Sequence, residues 1–453
     1  MEEKMHDLAI MLNETLKGTC AYDLLSDYGL RMYVPKGIIV QSADAKQKAT
    51  RYNATIGVAL ENGTAMYQPA VKAQFADTMK VGEIFPYAPM GGVLALRNAW
   101  KQDMYRKNPL LEGKSTSLPV VTSGLTNALS LVCSLFLEIG GDVVLPDMYW
   151  ENYNLILDEQ RQANKILFPI FKGDGFNVEG LDQALSTADD CVMVILNFPN
   201  NPTGYTPTEK ESDEIIAVLK KHADSGKKIV LVTDDAYFGL FFDDGPCRQS
   251  LFAKACGLSR NILAVKCDAA TKEEMAWGFR VAFVTYGGTD ITDAQFDALA
   301  QKTMGALRGS LSSCTMPGQN IVLKGMTDPN HDADKDERIR IIGERYLKLK
   351  ECLKKYEGNK DLRPLPFNSG YFMSFWCRPN AEELRMYLLD KYQTGIIRSD
   401  EHHIRIAFSS VDKENIEGLV DTVYKAASEL YYCQLFRLGG SRSSYNSWKS
   451  FGI

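Results

Sequence analysis

The sequence predicts an α/β protein with two parts: a large domain built on a mostly parallel, seven-stranded sheet, and a smaller α+β domain. Apolar runs alternate with helical patterns through the middle of the chain, which is typical of parallel strands joined by crossover helices. The 453 residues exceed what one ordinary core supports, so we expect more than one domain. A composition of 45% hydrophobic and 24% charged residues is that of a globular protein.

Seven apolar runs are the candidate strands of the sheet. Between the first two of them, the pattern of 125–139 predicts a helix. A second helix is predicted over 208–226, where Gly226 is a common helix stop. The candidate strands are 119–122, 142–146, 166–170, 191–197, 228–233, 261–267 and 280–286.

The character of the sequence changes beyond about residue 325. A long charged helix over 332–356 leads to an apolar strand, a helix near 381–392 and two short strands, which together predict a separate α+β unit. The first 70 residues show no strong series of strands and are expected to pack with it. A Ser/Gly-rich tail is expected to be a loose extension. The predicted segments are therefore 1–70, the large domain 71–325, the small domain 326–438 and the tail 439–453.

Bulk properties exclude several classes of function. A net charge of −6 does not attract polyanions, so we expect no nucleic-acid partner. No stretch approaches the roughly 18–20 apolar residues of a membrane span, and the N-terminus lacks the regions of a signal peptide. Ten cysteines form no CxxC pair, and five histidines show no zinc spacing. We expect reduced thiols, no metal and a cytoplasmic location.

Polar residues follow several candidate strands, at the end of the sheet where α/β proteins bind ligands. Ser123, Gly124 and Leu125 make a strand–Gly–helix turn whose free N–H groups suit a phosphate, although an ordinary turn has the same residues. Trp150, just after 142–146, suits stacking on a planar ring, although core packing explains it equally.

Two further strand ends carry an amide and a carboxylate. The loop 197–204 combines two Asn-Pro-type turns, which indicates a rigid and specially shaped segment around Asn201. Asp234 ends a buried strand, and a carboxylate there needs a partner to remain ionised. The protonated nitrogen of a pyridine ring is one such partner. The alternative is a helix cap, which Asp235 supplies equally well.

Lys272 follows the strand 261–267, and Arg280 stands eight residues later. A lysine in this place forms an imine if burial lowers its pKa. A nearby arginine offers a fork for a phosphate dianion. Taken alone, such a lysine is an ordinary surface residue, so its interpretation depends on the other residues of the set.

The ordered set resembles one family. Ser123-Gly124, Trp150, Asn201-Pro202-Thr203-Gly204, Asp234-x-Ala236-Tyr237, Thr271-Lys272 and Gly278-x-Arg280 match the order and approximate spacing of class I/II aminotransferases. That resemblance covers roughly 30–430 and implies the fold-type I architecture and pyridoxal 5′-phosphate (PLP) as cofactor. It also implies that Lys272 forms the Schiff base with PLP and moves a proton, and that Asp234 binds the pyridinium.

The same resemblance implies roles for the remaining positions. Tyr237 and Asn201 resemble the donors to the phenolic oxygen, and Trp150 resembles the aromatic residue that stacks on the ring. The phosphate site would comprise Ser123, the amides of Gly124 and Leu125, Thr271 and Arg280. The family often has serine where this chain has Ala269 and Thr271, which leaves the details of the phosphate site open.

Substrate and partner residues follow from the resemblance as well. Arg405 matches the arginine that grips the substrate α-carboxylate, and Gly57 matches a glycine near that carboxylate. Tyr87 resembles a tyrosine that reaches the cofactor phosphate of a neighbouring subunit, which implies a homodimer. Arg308 lies near where some relatives bind a distal carboxylate, although it is structural in others. Aromatic residues such as Tyr33, Tyr371 and Phe372 are candidate pocket walls.

The implied reaction is a ping-pong transfer of an amino group from an α-amino acid to a 2-oxo acid. Two alternatives remain. A PLP lyase of the same fold, such as a C–S lyase or an enzyme similar to aminocyclopropane-carboxylate synthase, would use the same residues. A ligand-sensing regulator with this fold would need a DNA-binding domain before it, for which about 35 residues leave no room. The side chain of the amino donor stays open.

Overall fold

The computed structural model describes residues 5–17, 22, 25, 27–33, 37–75 and 78–439, without the side chains of 39 and 432–439. These residues form two compact units. The first unit comprises the described residues of Met1–Pro35, together with Ala65–Gly343 and Pro366–Tyr371. The second unit comprises the described residues of Lys36–Thr64, Glu344–Leu365 and Phe372–Ile453.

A seven-stranded sheet forms the centre of the first unit, as predicted. Its spatial order is β1-β7-β6-β5-β4-β2-β3, and only β7 runs antiparallel to its neighbours β6 and β1. The strands, in chain order, are β1 (Val120–Thr122), β2 (Asp142–Pro146), β3 (Asn164–Phe168), β4 (Cys191–Asn197), β5 (Lys228–Asp234), β6 (Ile262–Ala269) and β7 (Ala282–Gly288). A short hairpin, Phe171–Lys172 with Gly175–Phe176, lies outside this sheet.

One strand, β3, ends before its apolar run does, because a proline follows it. The run 166–170 was predicted as one strand, whereas β3 starts at Asn164 and ends at Phe168. Pro169 has no N–H to give to a ladder. Asp147 instead donates its N–H to the carbonyl of Phe168 at 2.8 Å, which closes the strand pair.

Helices surround the sheet and begin at recognisable caps. Thr208 and Glu211 form a reciprocal capping box at the start of Glu209–Asp224. The predicted stop at Gly226 has φ of +107°, a left-handed conformation that glycine adopts without strain. The helices of the first unit are Asp7–Leu16, Asp27–Arg31, Pro69–Ala73, Leu94–Lys107, Leu125–Phe136, Leu155–Gln160 (a π-helix), Val178–Thr187, Glu209–Asp224, Leu251–Ala255, Ala270–Glu273, Asp293–Ser310, Met316–Met326 and the first part of His331–Lys354.

The register of the sheet brings the polar strand ends together. Asp234 at the end of β5 lies opposite Asn197 of β4 and Cys267 of β6. Beneath β6 and β7, the indole of Trp100 stacks on Phe283 with ring centroids 4.1 Å apart. Their burial in an apolar cluster that includes Ala270 supports the chain immediately before the predicted lysine.

The second unit is an α+β structure. A four-stranded antiparallel sheet has the order Leu362–Pro364, Phe372–Cys377, His403–Ala407 and Ile397–Arg398, and Tyr52–Asn53 pairs in parallel with Thr394–Gly395. Its helices are Ile38–Lys48, the last part of His331–Lys354, Ala381–Tyr392 and Ile416–Gly439. A short ladder joins Leu60–Glu61 with Thr64–Ala65.

The compact units begin and end at other residues than the predicted domains, and the domain limits themselves stay a prediction. Residues 37–64 belong to the second unit, whereas the described residues before 34 belong to the first. The chain passes from the first unit to the second inside the helix His331–Lys354, after Gly343. The tail after Gly439 lies outside the described residues.

Across the described ranges, no helix combines the length and the apolar character that crossing a membrane requires.

Candidate active site

Asp234 occupies the carboxyl end of β5 and is 2% exposed. The hydroxyl of Tyr153 donates to Asp234 Oδ2 at 2.5 Å, and the N–H of Ala236 donates to Oδ1 at 3.1 Å. Burial raises the pKa of Asp234 to about 6, while Tyr153 and the charge of Lys272 act in the opposite direction. The carboxylate is therefore held in place but under-compensated, and a cationic ligand group would stabilise it.

Lys272 lies on the one-turn helix Ala270–Glu273, which follows directly on β6. Its side chain is half-buried, and Nζ lies 4.6 Å from the centroid of the Tyr237 ring. Burial lowers the pKa of Lys272 to about 8, and Arg280 adds to this effect, while Asp234 opposes it. A fraction of Lys272 is thus neutral near pH 7 to 8, as a nucleophilic amine requires.

Tyr237 lies three residues beyond Asp234 and is 5% exposed. Its ring packs edge-on against Tyr371, with centroids 5.5 Å apart. The predicted wall residue Tyr371 therefore borders the same group in the first unit. Tyr33 instead stacks on His6 at 4.0 Å.

A cradle for an anion lies between the start of the helix Leu125–Phe136 and Arg280. Gly124 has φ of +80°, and a Cβ there would lie 2.6 Å from Cζ of Arg280, so only glycine allows this approach. Arg280 itself has φ of +55° and donates from Nη1 to the carbonyl of Trp277 at 3.1 Å. Ser123 donates its N–H to Asn127 Oδ1 at 3.1 Å.

Thr271 adds a buried hydroxyl that could bind a ligand. Its Oγ1 is buried and has no hydrogen-bond partner among the residues that the structure describes. Buried hydroxyls are rarely left in this state, because loss of hydration without a replacement bond is unfavourable. Thr271, Lys272, Asp234 and the Gly124–Arg280 cradle together fit a ligand with a carbonyl, a cationic ring nitrogen and a phosphate, and PLP is such a ligand.

The loop after β4 is tied to the Asp234 strand. The side chain of Asn197 donates to the carbonyl of Asp234 at 2.7 Å and accepts the N–H of Asn201 at 2.7 Å. Asn200 caps the turn by accepting from the N–H and the hydroxyl of Thr203. The Phe198–Pro199 and Asn201–Pro202 peptides are cis. Asn201 is 7% exposed and is placed by this network.

Tyr153 is the functional candidate that the sequence reasoning missed. It is 2% exposed and lies three residues after the half-buried Trp150, whose ring meets it edge-on at 5.6 Å. The signal available in the sequence was the spacing of Tyr149, Trp150 and Tyr153, which places aromatic rings on both sides of one turn. Its hydroxyl partner lies 81 positions away in the chain, which no local pattern reveals.

Arg405 lies in the second unit and is 2% exposed. Its Nη2 donates to the carbonyl of Thr55 at 3.1 Å, and its guanidinium lies 4.1 Å from the centroid of Phe372. Gly57 stands two residues after Thr55, in the irregular segment that follows Tyr52–Asn53. Arg405, which is predicted to bind the substrate carboxylate, thus contacts the segment that contains Gly57, and its guanidinium lies over the ring of Phe372.

Two predicted residues are at the surface of the single chain. Tyr87 is 90% exposed. Arg308 is exposed near the end of Asp293–Ser310, where Nη1 donates to Ser312 Oγ at 2.6 Å.

Comparison with known proteins is consistent across sequence and structure. The family model described as aminotransferase class I and II matches residues 56–423. A probable aspartate/prephenate aminotransferase of Aquifex aeolicus is 26% identical over 359 residues, which is 76% of this chain and 84% of the relative.

Solved structures share the fold. An aminotransferase from Anaerococcus prevotii superposes with a TM-score of 0.79 at 24% identity, covering 89% of this chain and 99% of that one. An aspartate aminotransferase of Thermus thermophilus gives a TM-score of 0.71 at 18% identity, with the same coverage. The predicted fold type is confirmed, and the chain belongs to the aminotransferase class I and II family.

Proposed function

We propose that this chain transfers the amino group of an α-amino acid to a 2-oxo acid, with PLP held covalently on Lys272. The observation that carries the proposal is the pair Lys272 and Asp234, whose pKa values are moved toward neutrality by burial at one edge of the sheet. A structural lysine gains nothing from a lowered pKa, whereas an amine that reacts with a carbonyl needs it.

The residues around Lys272 would then share the work of binding and orienting the cofactor. PLP, when bound, supplies an electron sink for the bond broken at the substrate Cα. Asp234 would hold a proton on the ring nitrogen, and Tyr153, which donates to Asp234 Oδ2, would keep that carboxylate oriented. Tyr237 and Asn201 would donate to the phenolic oxygen, and Trp150 would cover the ring. The phosphate would be held by Ser123, Gly124, Leu125, Thr271 and Arg280.

Lys272 also has the properties of the proton carrier. In the chain without cofactor, the amino group of Lys272 has a pKa of about 8 and lies beside the Tyr237 ring. An amine with this pKa takes up a proton and returns it near neutral pH, where general base and general acid catalysis are both effective. This fits two successive half-reactions, one with each substrate.

Arg405 would bind the α-carboxylate of both substrates through paired N–H groups. Its position on Phe372 and beside Thr55 supports this role, because a buried guanidinium with a fixed plane is ready for a bidentate anion. Gly57 would lie near the same carboxylate. The side chain of the amino donor is not indicated by Arg405. Relatives named aspartate aminotransferase and tyrosine aminotransferase suggest acidic and aromatic donors as the first to test.

A scan of amino donors with 2-oxoglutarate tests this function. We expect at least one acidic or aromatic donor to yield glutamate and the matching 2-oxo acid in equal amounts, measured by chromatography. A stoichiometric 2-oxo acid without free ammonia distinguishes transfer from the lyase reaction of the same fold. No glutamate from any donor, or ammonia or thiol release instead, would contradict the proposal.

We further propose that the enzyme works as a cytoplasmic homodimer. Eight cysteines of the described residues are free, as expected in a reducing compartment. Val81, Phe85 and Tyr87 are 73%, 77% and 90% exposed, which leaves an apolar patch on the first unit. Such patches mark association surfaces.

Phe85→Asp tests the dimer. We expect the wild-type chain to sediment at twice its 50.6 kDa mass and the variant to shift toward the monomer, because a charge would be buried without a partner. Leu347→Asp, at an exposed leucine of the second unit, is the control and should stay dimeric. A wild-type monomer would refute the proposed assembly.

A further inference from the structure

A short segment of the chain, Pro366–Tyr371, belongs to the first unit although the residues on both sides of it belong to the second. Ser369 and Gly370 are buried, and Asn368 is half-buried. The segment contributes to no helix or longer strand and makes a single β-bridge, from Ser369 to Phe241. Hydrogen bonds to other parts of the first unit must therefore hold its buried backbone in place.

The side chain of Asn368 binds the loop after β4. Its Oδ1 accepts the N–H of Thr206 at 2.9 Å, and its Nδ2 donates to the carbonyl of the same residue at 2.9 Å. The N–H groups of Asn368 and Ser369 both donate to the carbonyl of Gly204, at 3.0 and 2.9 Å. Ser369 Oγ lies 2.7 Å from Thr206 Oγ1. All these contacts are made to the loop that carries Asn201.

Close packing supports the same contact. Gly370 has φ of +74°, and a Cβ there would lie 3.2 Å from Cβ of Pro199. Glycine adopts this left-handed conformation without strain, and its missing side chain allows the close approach. The segment is therefore fitted to the loop after β4 by packing as well as by hydrogen bonds.

A second set of contacts joins the segment to the loop after β5. Gly370 donates its N–H to the carbonyl of Leu240 at 2.8 Å, and the carbonyl of Asn368 accepts the N–H of Phe242 at 3.3 Å. The last residue of the segment packs edge-on against the ring of Tyr237. We call residues 368–371 the clip, because they contact both loops.

Two predicted donors to the cofactor lie on the loops that the clip joins. Asn201 lies on the loop after β4, and Tyr237 lies on the loop after β5. Asn197 links the same loops where they leave the sheet, through its bond to the carbonyl of Asp234. The clip links them again farther along the chain. Two donors bind one oxygen atom only if both reach it within hydrogen-bond distance, so the relative position of the loops is decisive.

We propose that Asn368 is a positioning residue, which holds the clip on both loops and so sets the relative position of Asn201 and Tyr237. This role rests on the proposed function only for what Asn201 and Tyr237 bind, since the clip joins the loops in the chain without PLP. An amide suits the task because it offers a donor and an acceptor, one for the carbonyl and one for the N–H of Thr206.

Hydrogen exchange on the PLP-free chain, read by peptide mass spectrometry, tests whether the clip joins the two loops. Asn368→Ala removes both side-chain bonds to Thr206. We expect the amides of 198–206 and of 236–242 to exchange about tenfold faster, the effect of one or two lost hydrogen bonds. The contact of Asn368 with 236–242 is made by its backbone, so faster exchange there reports movement of the clip.

A matched control uses another half-buried asparagine of the first unit. Asn261→Ala removes a 2.8 Å hydrogen bond to the carbonyl of Ala223 and should leave the exchange of both loops unchanged. Circular dichroism establishes that each variant is folded.

The absorbance of bound PLP tests whether the clip positions the two donors. A donor to the phenolic oxygen stabilises the negative charge there, which lowers the pH midpoint of the absorbance change of PLP on Lys272. Asn368→Ala should raise this midpoint by roughly half to one pH unit, the equivalent of one weakened hydrogen bond. The substitution introduces no charge, so the shift reports hydrogen bonding at the cofactor. Asn261→Ala should leave the midpoint at the wild-type value.

Ser369→Ala is the second variant of the clip. It removes the 2.7 Å contact with Thr206 and should change exchange and midpoint in the same direction as Asn368→Ala, by a smaller amount. Should Asn368→Ala not fold, the sign of both changes in Ser369→Ala decides alone.

Faster exchange confined to 198–206 would overturn the inference, because the clip would then not join the second loop. A midpoint within about 0.2 units of the wild type would overturn it as well, since a purely structural contact leaves the bound cofactor unchanged. A wild-type chain that binds no PLP would count against the proposed function, while the exchange experiment would still decide whether the clip joins the loops.

Discussion

Lys272→Ala is expected to lower amino transfer by at least about 10⁴-fold, the largest single effect in the chain. The substitution removes the amine that binds PLP covalently and also the group that carries the proton, and each of these contributes by orders of magnitude. The neighbouring buried groups Asp234 and Tyr237 stay in place, so the fold should be retained. Initial rates with the best donor from the 2-oxoglutarate scan measure the loss.

Covalent trapping of PLP with borohydride distinguishes the loss of the amine from misfolding of the chain. Borohydride should fix PLP on the wild-type chain, on the peptide that contains Lys272, and should fix none on Lys272→Ala. Lys220→Ala, at an exposed lysine paired with Asp224, is the control and should behave as the wild type. Activity of Lys272→Ala within tenfold of the wild type would rule out the proposed role of this residue.

Asp234→Asn is expected to lower kcat by about 10²–10³-fold, because a neutral amide no longer holds the proton on the ring nitrogen. The amide still accepts the hydrogen bond that Tyr153 now donates at 2.5 Å, so the loss reports the missing charge more than a missing contact. Tyr153→Phe is the companion variant. It keeps the charge and removes only the orienting bond, so we expect a smaller loss.

In the chain without PLP, Asp234→Asn should increase the stability of the fold above pH 6. The folded pKa of Asp234 is about 6, above its usual 3.8, so the folded chain binds this proton more tightly than the unfolded chain. The resulting stability is fully present below pH 4 and is lost as the pH rises through 6. Above pH 6, the buried carboxylate is unfavourable relative to asparagine by roughly 2–3 kcal/mol.

Thermal unfolding without PLP checks this sign. Asp234→Asn should melt a few degrees above the wild type at pH 8, and the difference should shrink toward pH 4. A variant that is less stable at pH 8, or a difference independent of pH, would mean that Asp234 is not an under-compensated buried acid. In that case its candidacy as the partner of a cationic ring would fail as well.

Much of the fold followed from local patterns. The seven strands of the sheet were predicted within a few residues, since buried parallel strands read as continuous apolar runs. The helices Glu209–Asp224 and Ala381–Tyr392 also matched their predictions. The limits of the units did not follow in the same way. A helix such as His331–Lys354 has one unbroken pattern in the sequence, while its two ends pack in different units.

The candidate site was likewise predictable only in part. Asp234, Tyr237 and Lys272 were identifiable as candidates because each lies at the end of a strand or shortly after it, and the carboxyl ends of parallel strands meet at one edge of the sheet. Arg280 was singled out by its spacing from Lys272. The effects of these residues on one another's pKa values were not identifiable from the sequence. Neither the lowered pKa of Lys272 nor the raised pKa of Asp234 is encoded near these residues, because burial depends on the whole packed unit.

The amino-acid sequence alone indicated the family and the fold type and made Lys272 the candidate for the reactive lysine, because these depend on residue types in a characteristic order along the chain. The tertiary structure was needed to find the hydrogen bond of Tyr153 to Asp234, the approach of Arg280 to Gly124 and the ion pairs of Glu273 and Glu274 with Lys335. Each of these joins residues that are distant in the chain. Hydrogen bonds and ion pairs depend on separation in space, which is settled only when the helices pack on the sheet.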